Sequence, residues 1–163
     1  MRGKVYTGNK RIRNRIIKLA EELSGAADDN TVLNTVCDFY KDAGVGCIGL
    51  FKAFRVGHDD NDRPVITPVI SVEHKYLKDL IGYDIQKKKI TDNTEAFLAG
   101  SKANNVLLFG DSGTGKSSCI KAILNEYYDD GLRMIEIYKH QFKDLSAIIN
   151  QVKDRNYKFI IYM

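Results

Sequence analysis

The chain has 163 residues, 44% hydrophobic and 28% charged, with a formal net charge of +4. That composition fits a soluble globular protein of one domain or two small ones. It contains no apolar run of transmembrane length, no apolar segment behind the basic start "MRGKVYTGNKRIRNR" that would make a secretory signal, and no internal repeat.

The first twenty residues carry Arg2, Lys4, Lys10, Arg11, Arg13, Arg15 and Lys18 and no acid. Such a segment suits nucleic acid or an anionic membrane. The competing reading is a solvated helix face, and it is favoured. Ile12, Ile16, Leu19, Ala20 and Leu23 fall at helical spacing, so residues near 10–24 are predicted to form an amphipathic helix docked on the protein. "SGAADDN" ends it. Asp29 or Asn30 caps a second helix, "TVLNTVCDFYKDAG", with Val32, Val36 and Phe39 on one face and Gly44 as its stop.

"GCIGLFKAFRV" reads as a strand, with Ile48, Leu50 and Phe54 as core candidates. "GHDDNDRP" reads as a turn. It has the acids of a calcium loop, but Arg63 stands where the sharp bend needs glycine, and no glutamate closes the loop. "VITPVISV" is a further strand, placed at a sheet edge by Pro68.

From about Leu80 the pattern changes. "DIQKKKITDNTEAFLAG" is a helix ending at Gly100. Ile85, Ile90 or Lys89, Thr94 and Phe97 recur along it, and Lys87, Lys88 and Lys89 are assigned to its wet face. Then come strand "NVLLF", a glycine-rich turn, helix "KSSCIKAILNEYYDD", strand "LRMIEIYK", helix "FKDLSAIINQVKDR" and strand "YKFIIYM". Helices separating short apolar strands are the signature of parallel βαβ units. Two regions are therefore expected: a smaller mixed α/β region over 1–78 and an α/β core over 79–163.

The turn is "GDSGTGKSS", and Gly110, Gly115, Lys116 and Ser117 satisfy G-x-x-x-x-G-K-S/T between a strand and a helix. A triphosphate needs several donors fixed in advance. The backbone N–H groups of Gly110, Asp111, Ser112, Gly113, Thr114 and Gly115, in a tight loop at a helix N-terminus, supply them. Lys116 adds a flexible cation for the β- and γ-phosphates. Ser117 offers a hydroxyl to Mg²⁺, and Ser118 a second hydroxyl near the α-phosphate. A dinucleotide turn starting at Gly113 would need glycine at Ser118, and a nucleophile elbow starting at Gly110 would need it at Thr114. No N-K-x-D reads guanine, so the expected ligand is ATP with Mg²⁺ rather than GTP. Cys37, Cys47 and Cys119 form no CxxC pair, which fits a reducing cytoplasm. Cys119 is assigned a packing role on the helix after the loop. His58, His74 and His140 are scattered and suggest no metal cluster.

"GDSGTGKSS", with "LIGYDIQKKKITDNTEAFLAG" upstream, resembles the AAA+ branch of P-loop ATPases. It more closely resembles a bacterial family of AAA+-type ATP-binding proteins, over roughly residues 76–163. The resemblance implies a partial P-loop core of AAA+ type and adenine packing at Ile81 and Gly82. It also implies a homo-oligomer at full length and a protein client; with no apolar run of transmembrane length, no membrane partner is expected. A carboxylate that holds Mg²⁺ and a group that orients the attacking water would follow a strand like "KFIIYM". Glu136 does not replace them, because it lies inside its strand. The chain is thus expected to be a front fragment that binds ATP without turning it over. The implied strand order flanks the loop's strand with two others that are not here, so Val106 to Phe109 would carry unpaired backbone groups. The alternatives are a non-catalytic interaction module and a P-loop kinase. The kinase would need an acceptor base and a lid that the sequence does not place.

Overall fold

The computed structural model describes residues 10–43 and 47–163. Arg2, Lys4, the side chains of Lys10, Arg11, Ile12, Arg13 and Arg15, and the Gly44 stop lie outside the described residues. The chain forms two compact units, Met1–Phe51 and Lys52–Met163.

In the first unit, α1 (Lys10–Ser24) and α2 (Asp29–Ala43) lie against each other. Leu19 and Leu23 of α1 and Val36 and Phe39 of α2 are half-buried, whereas Ile16 and Val32 stay exposed. The cap of α2 is neither Asp29 nor Asn30. Asp28 holds that place, its Oδ1 accepting the N–H of Thr31 at 2.8 Å. This is the bond an N-cap carboxylate makes to the third helical residue. The same bond holds the Asp28 carboxyl below its ordinary range. A short helix, α3 (Cys47–Leu50), ends the unit. Ile48 is buried and Leu50 half-buried.

The strand expected over "GCIGLFKAFRV" is therefore corrected. Only its second part is a strand, β1 (Ala53–His58). Both of its neighbours begin pairing at Ala53, opposite Val69 on one side and Met134 on the other, and Cys47–Leu50 before it is the short helix α3. β2 (Pro64–Val69) returns antiparallel to β1 and forms one edge of the sheet, where Pro68 can sit without costing an interior ladder bond. In the turn between them Asp59 Oδ1 accepts the N–H groups of Asn61 and Arg63, both at 2.9 Å.

α4 (Asp84–Leu98) closes on Gly100, whose φ of 74° is the left-handed cap. Ile90 and Thr94 are buried, Phe97 is half-buried and Ile85 is exposed. Lys88 and Lys89 lie in water as expected. Lys87 does not: its Nζ turns back to the carbonyl oxygen of Leu80 at 2.9 Å and to Asp84 at 2.8 Å.

The strand expected over "NVLLF" is not formed. Residues 102–109 belong to no element. Leu107 is 83% and Phe109 86% exposed. An apolar run becomes a strand only where another strand takes its N–H and C=O groups. Among the described residues none lies beside it. The segment is fastened at its start, where Asn93 and Asn104 exchange two hydrogen bonds of 2.9 Å.

Beyond the glycine turn, α5 (Lys116–Tyr127), β3 (Leu132–Glu136), α6 (Leu145–Val152) and β4 (Lys158–Tyr162) follow the expected order. A 3₁₀ turn over Lys139–Asp144 replaces the first part of the helix expected before α6. The four strands run β2-β1-β3-β4, with β1, β3 and β4 mutually parallel. Leu132 and Met134 of β3 pack with Ala53, with Ile123 and Leu124 of α5, and with Ile90 of α4. This core fixes α5, and with it the glycine turn, against the sheet.

Candidate functional site

The loop enters α5 through three glycines with positive φ: Gly110 at 137°, Gly113 at 82° and Gly115 at 85°. No atom lies within 4 Å of where a Cβ would stand on Gly113 or Gly115. Backbone angle, not crowding, is what asks for glycine there. Gly115 is the left-handed residue before α5, and its carbonyl oxygen accepts the N–H of Cys119 at 2.8 Å to close the first turn.

Lys116 sits inside this loop. Its Nζ donates to the carbonyl oxygens of Gly110 at 2.8 Å and Asp111 at 2.6 Å, and to Thr114 Oγ1 at 3.4 Å. Thr114 Oγ1 in turn donates to the Asp111 carbonyl oxygen at 2.9 Å. The loop is thus coiled around one ammonium group at the amide-rich end of a helix. Asp111, Ser112, Gly113 and Thr114 lie open to solvent.

Ser117 Oγ is 2.8 Å from Tyr162 Oη, at the end of β4. Ser118 Oγ accepts from Lys75 Nζ at 3.1 Å. Lys75 is also 3.3 Å from Glu73, as is Lys121. The hydrogen bond from Lys75, then that from Lys121, holds the Glu73 carboxyl below its ordinary range. Asn125 fastens this segment to α5 by donating to the carbonyl oxygens of Glu73 and Lys75 at 2.8 and 2.9 Å. Cys119 packs against the core, and burial pushes its thiol up, away from reactivity.

Gly110 to Ser118 therefore stand together at the head of α5. Ile81 and Gly82 are elsewhere in character. Ile81 is 97% exposed, and Gly82 and Tyr83 both take positive φ, at 78° and 58°. Glu136 is engaged by Arg55, Nε to Oε2 at 2.7 Å. Tyr162 and Lys75 carried no signal in the sequence. A strand pattern gives a residue's face but not the loop that approaches it.

The donor set suits a polyphosphate with a divalent cation. It has one ammonium, helix-terminal amides and a hydroxyl. Among the described residues no carboxylate is hydrogen-bonded to Lys116 or Ser117 to repel an anion.

A mostly parallel sheet packed by a helix that opens on a glycine turn of this kind is consistent with a partial P-loop NTPase core. The chain belongs to the DUF815 family, described as "Protein of unknown function (DUF815)", which matches residues 50–163. The matched stretch nearly coincides with the second compact unit. The chain is also similar to a replication factor C large subunit of Methanococcus vannielii, 37% identical over 75 residues, which covers 46% of this chain and 15% of that protein. A replication factor C large subunit of Staphylothermus marinus is 32% identical over 76 residues, 46% of this chain and 17% of its own length. The chain thus spans less than a fifth of these relatives. No solved structure matches it. The matches support a relationship to AAA+-type ATPases.

Proposed function

We propose that this chain binds ATP·Mg²⁺ through residues Gly110 to Ser118, as the nucleotide-binding part of an AAA+-type ATPase. One observation carries the reading: the Lys116 ammonium is held inside its own glycine loop at the N-terminus of α5. A cation so placed meets an entering phosphate together with loop amides that are already oriented. Lys116 would trade carbonyl oxygens for phosphate oxygens, and Ser117 would offer its hydroxyl to the metal. The bound Mg²⁺ would neutralise charge between the phosphates. Ile81 and Gly82 are proposed to meet adenine.

Turnover is not part of the proposal for these 163 residues. A lysine and loop amides bind ground state and transition state in similar measure, which strengthens binding without speeding chemistry. Assembly of several copies and action on a protein client, both implied by the AAA+ resemblance, belong to the same proposal for the whole protein.

A second reading has its own observation. Residues 102–109 join no strand, so no sheet pairing holds the segment that leads into the loop. On that reading the loop binds nucleotide weakly or not at all, and the protein is an interaction module. Calorimetric titration of ATP·Mg²⁺ into the chain and into Lys116→Ala separates the two. Binding that Lys116→Ala weakens supports the first. Absent binding, or equal binding by both proteins, overturns it.

A further inference from the structure

The geometry points to Tyr162 as a positioning residue for the metal-binding hydroxyl, a role that rests on the ATP·Mg²⁺ reading above. Its Oη is 2.8 Å from Ser117 Oγ, and either oxygen is able to donate. A serine hydroxyl has one proton and two lone pairs. A lone pair given to a cation leaves the proton needing an acceptor on another side. Tyr162 Oη occupies such a place. With the metal bound, Ser117 donates to Tyr162, and its lone pairs are turned toward the loop rather than left free to rotate.

Both partners are fixed from behind. Ser117 lies in the first turn of α5, closed by the bond from Cys119 N to Gly115 O. Tyr162 lies in β4 opposite Glu136, and its carbonyl oxygen accepts the N–H of Ile137 at 2.9 Å. Its ring packs at the margin of the core that holds Ile123 and Leu124 of α5. The phenol therefore reaches Ser117 from a strand, not from a mobile loop. Precision in a ligand's orientation comes from such outer partners.

The test separates metal-dependent from metal-independent binding. ATP affinity is measured by calorimetry in MgCl₂ and in EDTA for the wild type, Tyr162→Phe, Ser117→Ala and the double variant. Tyr162→Phe keeps the ring and removes the acceptor. It is expected to cut the gain in affinity brought by Mg²⁺ roughly 2- to 10-fold, the range for one neutral hydrogen bond. Affinity in EDTA should be unchanged. The double variant should lose no more than Ser117→Ala, because the phenol acts only through that hydroxyl. A second measurement needs no variant. The ¹³Cζ resonance of Tyr162 should move when MgCl₂ is added to ATP-saturated wild type, and not when ATP is added in EDTA.

An unchanged Mg²⁺ gain in Tyr162→Phe, beside a lost gain in Ser117→Ala, overturns the role of Tyr162 and leaves the nucleotide reading intact. So does an equal loss in EDTA, or a Tyr162 resonance indifferent to the metal. Absence of ATP binding by the wild type removes both together.

Discussion

Lys116 donates to the carbonyl oxygen of Asp111, the residue at the opposite side of its own loop, with Nζ to O at 2.6 Å. The contact ties binding and loop shape to one side chain while contributing little to the fold, because the loop around it is open to water. Lys116→Ala is expected to weaken ATP·Mg²⁺ binding by about 1.5–3 kcal/mol, the usual range for a charge-assisted contact. Unfolding free energy should fall by less than about 1 kcal/mol, as for exposed hydrogen bonds and ion pairs. Calorimetry and urea denaturation measure the two effects. A large stability loss would show that the lysine is a structural pin.

Arg133 makes the opposite prediction. It is buried in β3, with its guanidinium 4.1 Å from the Tyr128 ring centre and 4.0 Å from that of Tyr157. It donates to the carbonyl oxygens of Leu132 at 2.7 Å and Tyr128 at 3.0 Å. Arg133→Met should cost about 2–4 kcal/mol from lost stacking and from carbonyls left without their charged donor. Arg133→Lys should recover only part, since an ammonium neither stacks flat nor forks. ATP affinity should be untouched by Arg133→Lys. Urea midpoints at constant slope are the measure.

Alkaline pH should act on Tyr127. Burial, reinforced by its 2.7 Å hydrogen bond to Glu95 Oε1, pushes the phenol well above its ordinary value of 10.0. A group whose folded pKa is raised lends stability that is complete below the unfolded value and lost as pH climbs toward the folded one. Stability should therefore decline above pH 10.0. Tyr127→Phe should make that decline shallower, as read from denaturation curves at successive pH values. An identical decline in the variant would rule Tyr127 out as its source.

Leu107 and Phe109 stand almost wholly in water. Replacing both with serine should change unfolding free energy by no more than about 0.5 kcal/mol, as expected for exposed positions. Self-association seen by light scattering should fall, because an apolar pair on the surface is removed. A marked loss of stability would place these side chains in a packed setting.

The same segment shows where sequence reasoning reached its limit. α5 and β3 were legible because their evidence is local: a glycine turn, then a helical period, then a short apolar strand. The loop itself was legible for the same reason. "NVLLF" has equally good local evidence, yet pairing is decided by what stands beside a strand, and sequence pattern is silent on that. The first part of "GCIGLFKAFRV" failed likewise: strand pairing begins at Ala53, and Cys47–Leu50 coils into α3 instead. Asp28 displaced Asp29 and Asn30 as a cap because capping depends on helix phase, and a shift of one residue changes it. Lys87 left the wet face because a long side chain can fold back to a carbonyl that only the turn before α4 presents. Tyr162 and Lys75 reach Ser117 and Ser118 across 45 and 43 positions of sequence, a distance no motif spans.

The place of β4 at the margin of the sheet sets a clock in its backbone. Lys158 N–H points to Gly131 of the neighbouring chain segment, and the alternation of a strand turns the N–H groups of Phe159 and Ile161 the other way. Transferred to heavy water, β4 should split into two interleaved populations. The amides of Ile160 and Tyr162 would keep their protium as long as the sheet holds, while those of Phe159 and Ile161 would give theirs up at nearly the pace of a free peptide. One strand would then carry two timescales, sorted by odd and even residue number.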